Sequence, residues 1–247
     1  MLKEFDLDSL NENSPEFVHL VVEATKLAFA DREAFYGDTN FNDVPMDILL
    51  SEEYNAKRRN LISKEASMEV RPGVIPGFGG KVLVRPKGGT PESFSKFDIG
   101  EPTVARFDEP NPSNLGDTKG DTTHFDIIDK WGNMIAGTPS GGWLQSSPII
   151  SNLGFCLSNS GQMFWLDENS PACIGPKRRP RTTLSPSLAL KDGLPYLVFG
   201  TPGGDQQDQW SLHLFLRHVH FGLNLQEAID APGFSTAHFP NSFYPRE

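Results

Sequence analysis

Apolar residues recur at helical spacing through Phe17, Val21, Ala24 and Ala28, which predicts an amphipathic helix. Ser14 followed by Pro15 marks its start: a capping hydroxyl, then a residue whose missing N–H costs nothing at the first helical position. Gly37 fits its stop. Ser51 caps a second, polar helix running to about Ile62. The period then changes. Residues 123–129 alternate apolar and polar positions imperfectly, Lys130-Trp131-Gly132-Asn133 reads as a turn, and residues 134–138 run on, which is a hairpin signal. Residues 183–190 and 194–199 make a second hairpin around Lys191-Asp192-Gly193. Residues 207–221 return to helical spacing, with a broad apolar face through Trp210, Leu214 and Phe221, and residues 225–229 add a short helix. Strands and helices in mixed order predict an α+β or layered-sheet domain. No internal repeat interrupts the pattern.

Between the early helices and the first hairpin, regular structure is not expected. Sixteen of the 51 residues from 71 to 121 are glycine or proline, which rules out a long regular element. Loops of this length are uncommon unless functional or disordered. Charge is uneven across the same boundary. Up to residue 121 the chain has 14 basic and 22 acidic residues, and after it 8 and 10.

Composition narrows the function classes. The formal charge of −10 argues against a nucleic-acid-binding surface, although Lys177, Arg178, Arg179 and Arg181 form a local basic patch. No apolar run is long enough for a membrane span, and no secretory signal is visible at the start. A soluble protein of cytoplasm or periplasm fits, with the compartment left open. Cys156 and Cys173 are too sparse for a disulfide framework and lack metal-ligand spacing. His218 and His220 lie two apart, so on a helix they point to different sides. No metal and no organic cofactor is expected.

Specific strings say more than composition does. In order they are Asp121-Thr122-Thr123-His124, Asp129-Lys130-Trp131-Gly132-Asn133, Gly175-Pro176-Lys177-Arg178-Arg179-Pro180, Thr182-Thr183-Leu184-Ser185-Pro186, Thr201-Pro202-Gly203-Gly204, and residues 224–232 from Asn224 to Pro232. Together they resemble the gamma-glutamyltransferase (gamma-glutamyltranspeptidase) family of N-terminal-nucleophile hydrolases. The match runs from Phe29-Ala30-Asp31-Arg32 to about Phe234.

The resemblance implies a four-layer αββα sandwich and a precursor that cuts itself between Asp121 and Thr122. Residues 1–121 would then be the end of a large subunit, and residues 122–247 the start of a small catalytic subunit paired with it. The chemistry suits a threonine. Freed at a chain start, Thr122 carries its own α-amine, whose pKa of about 8 suits a base near neutral pH. By the same resemblance Gly203 and Gly204 supply an oxyanion hole from backbone N–H groups, where one lost donor costs about 3 kcal/mol in the barrier. Ser140 matches a hydroxyl that hydrogen-bonds the nucleophile. Thr182 and Thr183 replace a serine pair that contacts a substrate carboxylate. Arg179 and Pro180 match the family's Arg-Pro pair.

The chain departs from the family pattern at the donor site. Gln162 and Met163 stand at the positions where the family has two consecutive acidic residues, one of which binds the α-amino group of the glutamyl moiety. Gly142 replaces an asparagine. Gly204-Asp205-Gln206-Gln207 looks instead like the acylase-like branch. Family precursors are about twice as long, so the resemblance implies a chain incomplete at both ends, without the arginine that holds the substrate carboxylate. Three readings follow. The first is γ-glutamyl transfer or hydrolysis, as on glutathione, through an acyl-Thr122 intermediate. The second is a related amidase for glutaryl-type acyl groups. The third is an inactive, non-enzymatic fragment.

Overall fold

The computed structural model describes residues 1–79, 122–140 and 149–242, apart from residues 156 and 159. The expectations placed on Asp121, Gly142 and Cys156 lie outside those residues, as does most of the glycine- and proline-rich stretch.

Helix α1 spans Pro15–Phe35. Ser14 Oγ accepts the Phe17 N–H at 3.2 Å, a cap worth about 1 kcal/mol. Helix α2 is one turn, Met46–Leu49, and α3 spans Glu52–Arg59 with Ser51 Oγ accepting from Tyr54 N–H. Phe17 and Val21 of α1 pack with Leu7 and Leu216 into one apolar core. Ala34 and Phe35 pack with Tyr54 and Ile75 into a second. The helix also buries charge. Glu23 receives Lys26, Arg71 Nη2 at 2.7 Å and the Ser67 N–H. Asp31 receives Arg58 Nε at 3.0 Å and the Gly73 N–H at 2.7 Å. Such groups stay inside because each is paired and hydrogen-bonded.

Strands β1, Phe125–Ile128, and β2, Met134–Gly137, form an antiparallel hairpin with Ile127 opposite Ile135. Strands β3, Ser187–Lys191, and β4, Leu194–Phe199, form a second, with a bulge between Ala189 and Leu190. The expected strand from residue 183 starts later, at Ser187. Pro186 has no N–H to give a ladder, and the Leu184 N–H is taken by Thr182 Oγ1. In the β3–β4 turn Asp192 and Gly193 have φ of 54° and 76°, the backbone that a two-residue hairpin loop demands. The two hairpins lie against each other, with β4 beside β1 and β2.

Helix α4 spans Gln207–Val219 and α5 spans Leu225–Asp230, the latter opened by a capping box between Asn224 and Glu227. The expected apolar face of α4 needs correction. Trp210 and Leu214 are only partly buried, whereas Gln207, Gln209, Ser211, His213, Leu216 and Arg217 are buried. The reason is that α4 meets α1 through Leu216, and its polar side carries hydrogen bonds to nearby loops, such as Gln209 to Thr236. The described residues thus form an α+β fold of helices and two antiparallel hairpins.

Candidate active site

Thr122 lies three residues before β1, half buried, and its hydroxyl shares a short hydrogen bond with the hydroxyl of Ser140. The pairing follows from the hairpin. Because β1 and β2 run antiparallel, the residues before one and after the other end up side by side, and the Thr123 N–H donates to Pro139 O at 3.3 Å.

His124, not singled out in the sequence, stands between these residues and β4. Its Nε2 is 2.8 Å from Asp126 Oδ1 and its Nδ1 is 2.7 Å from Thr138 Oγ1. A carboxylate oxygen accepts, so Nε2 donates to Asp126, while Nδ1 shares a hydrogen bond with the Thr138 hydroxyl. The imidazole lies against Gly200, where an added Cβ would come within 2.3 Å of His124 Cε1. Gly200 leads directly into Thr201-Pro202-Gly203-Gly204. The Thr122 segment and the glycine turn are therefore brought to the same end of the two hairpins.

Gly203 and Gly204 are buried, with φ of 133° and 58°. Two successive positive φ values favour glycine. At Gly203 space adds a second reason, since a Cβ would meet the Trp210 ring at 2.5 Å. The pair opens a short 3-10 turn, Gly204–Gln206, that continues into α4. Backbone N–H groups at such a start have no partner within the helix and lie in a positive field. Gln207, with its amide oriented to suit its neighbours, donates to Thr201 O at 2.9 Å and accepts the Gly204 N–H at 3.2 Å, pinning the turn from inside. Gly200 and Thr201 also line a cavity of about 560 Å³ between β4, α4 and α5, with His213 and Arg217 in its wall.

The remaining sequence candidates are placed as follows. Thr183 is buried, and Thr182 is exposed with its hydroxyl engaged by Leu184 N–H. Gln162 is half buried in the 3-10 turn Ser160–Met163, and Met163 is buried. Arg179 is a clamp. Its Nη2 donates to Asp38 Oδ1 at 3.0 Å and its backbone N–H to Asp38 Oδ2 at 2.7 Å, which holds the Asp38 carboxyl down to about 2. Cys173 is a buried free thiol. His218 bonds Tyr196 and His220 bonds Asp8. Among the described residues no cluster of histidine, cysteine and carboxylate could hold a metal, and no helix is long and apolar enough to cross a membrane.

A buried charge cluster behind the glycine turn was not anticipated. Arg32 Nη1 donates to Asp205 Oδ1 at 2.9 Å. Arg32 also pairs with Glu33, and Glu33 with Arg181. Ser242 donates its N–H to Asp205 Oδ2 at 2.7 Å and accepts Arg181 Nη2 at 3.0 Å. Burial alone would raise the Asp205 carboxyl, but Arg32 and Arg181 hold it below the usual carboxylate range. The only local sign in the sequence is Asp205 directly after the paired glycines.

The chain is similar to known proteins over nearly its whole length. The gamma-glutamyltranspeptidase family model matches residues 1–245. The chain is 29% identical to the glutathione hydrolase proenzyme of Pseudomonas sp. (strain A14), over 98% of this chain and 38% of that protein. It thus spans less than two-fifths of that relative's length. The solved structure of LmbA2991T421A is 49% identical, with a TM-score of 0.72, over 96% of this chain and 38% of that one. Cephalosporin acylase from Bacillus halodurans shares the fold, with a TM-score of 0.63 at 24% identity, over 94% of this chain and 34% of that one. On the match across nearly its whole length, the chain belongs to the gamma-glutamyltranspeptidase family.

Proposed function

We propose that this chain is part of an enzyme precursor that cuts itself between Asp121 and Thr122 and then cleaves amides through an acyl-Thr122 ester. The observation that carries the reading is the Thr122–Ser140 hydroxyl pair at the hairpin mouth, beside His124 and Gly200. Residues 1–121 belong to the large subunit and residues 122–247 to the small one, within a four-layer αββα sandwich.

The chemistry follows from the residues. The free α-amine of Thr122 takes the proton from its own hydroxyl while Ser140 orients the oxygen. Oγ1 adds to the amide carbonyl carbon, and the developing oxyanion faces the Gly203 and Gly204 N–H groups. The carbon–nitrogen bond breaks, and the leaving amine takes the proton held by the α-amine. Water then adds to the ester, a proton returns to Thr122 Oγ1, and the acid leaves. An amine in place of water gives transfer.

The γ-glutamyl group is the donor that family membership favours, with Thr182 and Thr183 at its carboxylate end and Gln162 near its amino end. A second reading has its own support. Met163 is buried and Gln162 is neutral, so no carboxylate at these two positions pairs with an ammonium, and an unpaired buried ammonium is costly. Glutaryl-type acyl amides avoid that cost.

Mass spectrometry of the purified chain tests the cut. A fragment starting at Thr122 is expected, and Thr122→Ala should stay intact. A wild-type chain that stays whole after long incubation favours a non-enzymatic role and overturns the proposal. For cut protein, rates on γ-glutamyl-p-nitroanilide and glutaryl-p-nitroanilide separate the two donor classes. Preference for the glutaryl compound removes the γ-glutamyl assignment and leaves the amidase.

A further inference from the structure

The Arg32–Asp205 pair joins residues 173 apart in sequence, on opposite sides of the proposed cut. Arg32 is on α1, and Asp205 directly follows the two glycines. We infer that Arg32 positions the Gly203–Gly204 turn through Asp205, so that the segment before the cut sets the backbone donors of the segment after it. The inference rests on the proposed role of that turn as an oxyanion hole.

Three observations support it. First, Asp205 is held on both oxygens. Oδ1 receives Arg32 and the Ser242 hydroxyl, and Oδ2 receives the Ser242 N–H. A carboxylate fixed this way fixes its own backbone, and that backbone follows two residues at positive φ. Second, Arg32 is itself held. It lies 4.3 Å over the Phe29 ring and 5.5 Å from the Phe239 ring, and it pairs with Glu33. Third, the pair is shielded, with Arg32 side-chain exposure of 11% and Asp205 of 3%. Low exposure keeps the attraction strong and makes an unpaired partner costly. Glu33 and Arg181 span the same boundary beside it. After a cut these contacts become contacts between two separate chains. The glycine turn would then keep its shape only while the two pieces stay together.

Amide hydrogen exchange in the full chain tests this without needing activity. In Arg32→Ala, the peptide covering residues 201–206 is expected to exchange about tenfold faster, while the interiors of α1 and α4 keep their protection. Arg32→Lys keeps the charge and is expected to recover most of that protection. Should Arg32→Ala unfold, Ser242→Ala removes only one donor to Asp205 and is expected to speed the same peptide about threefold. Unchanged exchange at residues 201–206 in a folded Arg32→Ala or Ser242→Ala overturns the inference. In cut, active protein the same variants should lower kcat with little change in KM, because the turn faces charge that develops only in the transition state. Equal losses through KM alone would also count against it. A wild-type chain without amidase activity would overturn the proposed function but leave the exchange result standing.

Discussion

Helix α1 buries 13 of its 21 residues, whereas the four strands bury one between them, Leu197. Yet the strands are rich in apolar residues. Ile127, Ile135, Leu188 and Leu190 are each at least half exposed. The helix lies between two clusters and meets partners on several sides. The hairpins meet each other, α4 and little else among the described residues. The difference teaches that apolar alternation specifies a strand but not its cover. A sheet face needs another layer to bury it. The same contrast runs through the site. The glycine turn is anchored in the buried helical part, and Thr122 stands at the edge of the exposed hairpins.

The comparison can be broken most sharply at Phe17, which is fully buried between Phe221 and Phe234. Phe17→Ala should cost about 3–5 kcal/mol, read as a lower urea midpoint. A loss under about 1 kcal/mol would mean that α1 is not the anchor its burial implies.

A smaller effect is expected at His213, whose ring packs tilted against Phe234 at the rim of the same cluster with ring centroids 3.9 Å apart. Burial first, then Arg217, lowers its pKa from 6.5 to about 4. The unfolded chain therefore takes up the proton before the folded one does. This contribution is fully present above about pH 6.5 and is lost as the pH falls toward 4, by up to about 3 kcal/mol. Urea midpoints at pH 7 and pH 4 should diverge less in His213→Leu than in the wild type. Equal divergence would place His213 in a solvated setting.

The smallest effect belongs to the hairpins. Ile135→Thr keeps the β-branch and trades exposed apolar surface for a hydroxyl, so stability should change by no more than about 0.5 kcal/mol. A loss comparable to that of Phe17→Ala would show that the face is covered in solution.

Much of the local structure was legible because its causes are local. Ser14-Pro15 and Ser51 start helices through hydroxyl caps a few residues away. Asp192-Gly193 turns a hairpin through its own backbone angles. The Thr122–Ser140 pair needed only the first hairpin and the family strings. The buried side of α4 was not legible, because Gln209 and His213 are inside on account of Thr236 and Phe234. Neither was His124, whose neighbour Gly200 directly follows β4.

The sequence by itself determined where the helices start, where the hairpins turn, and that Thr122 heads a string typical of its family. These depend on backbone preferences and spacing that act over a few residues. Only the tertiary structure decided that Arg179 clamps Asp38 and that Arg32 meets Asp205 behind the glycine turn. Those pairs join positions 141 and 173 residues apart. Charges at such separations carry no signal along the chain. They become partners only when packing brings them together and removes the water that would otherwise screen them.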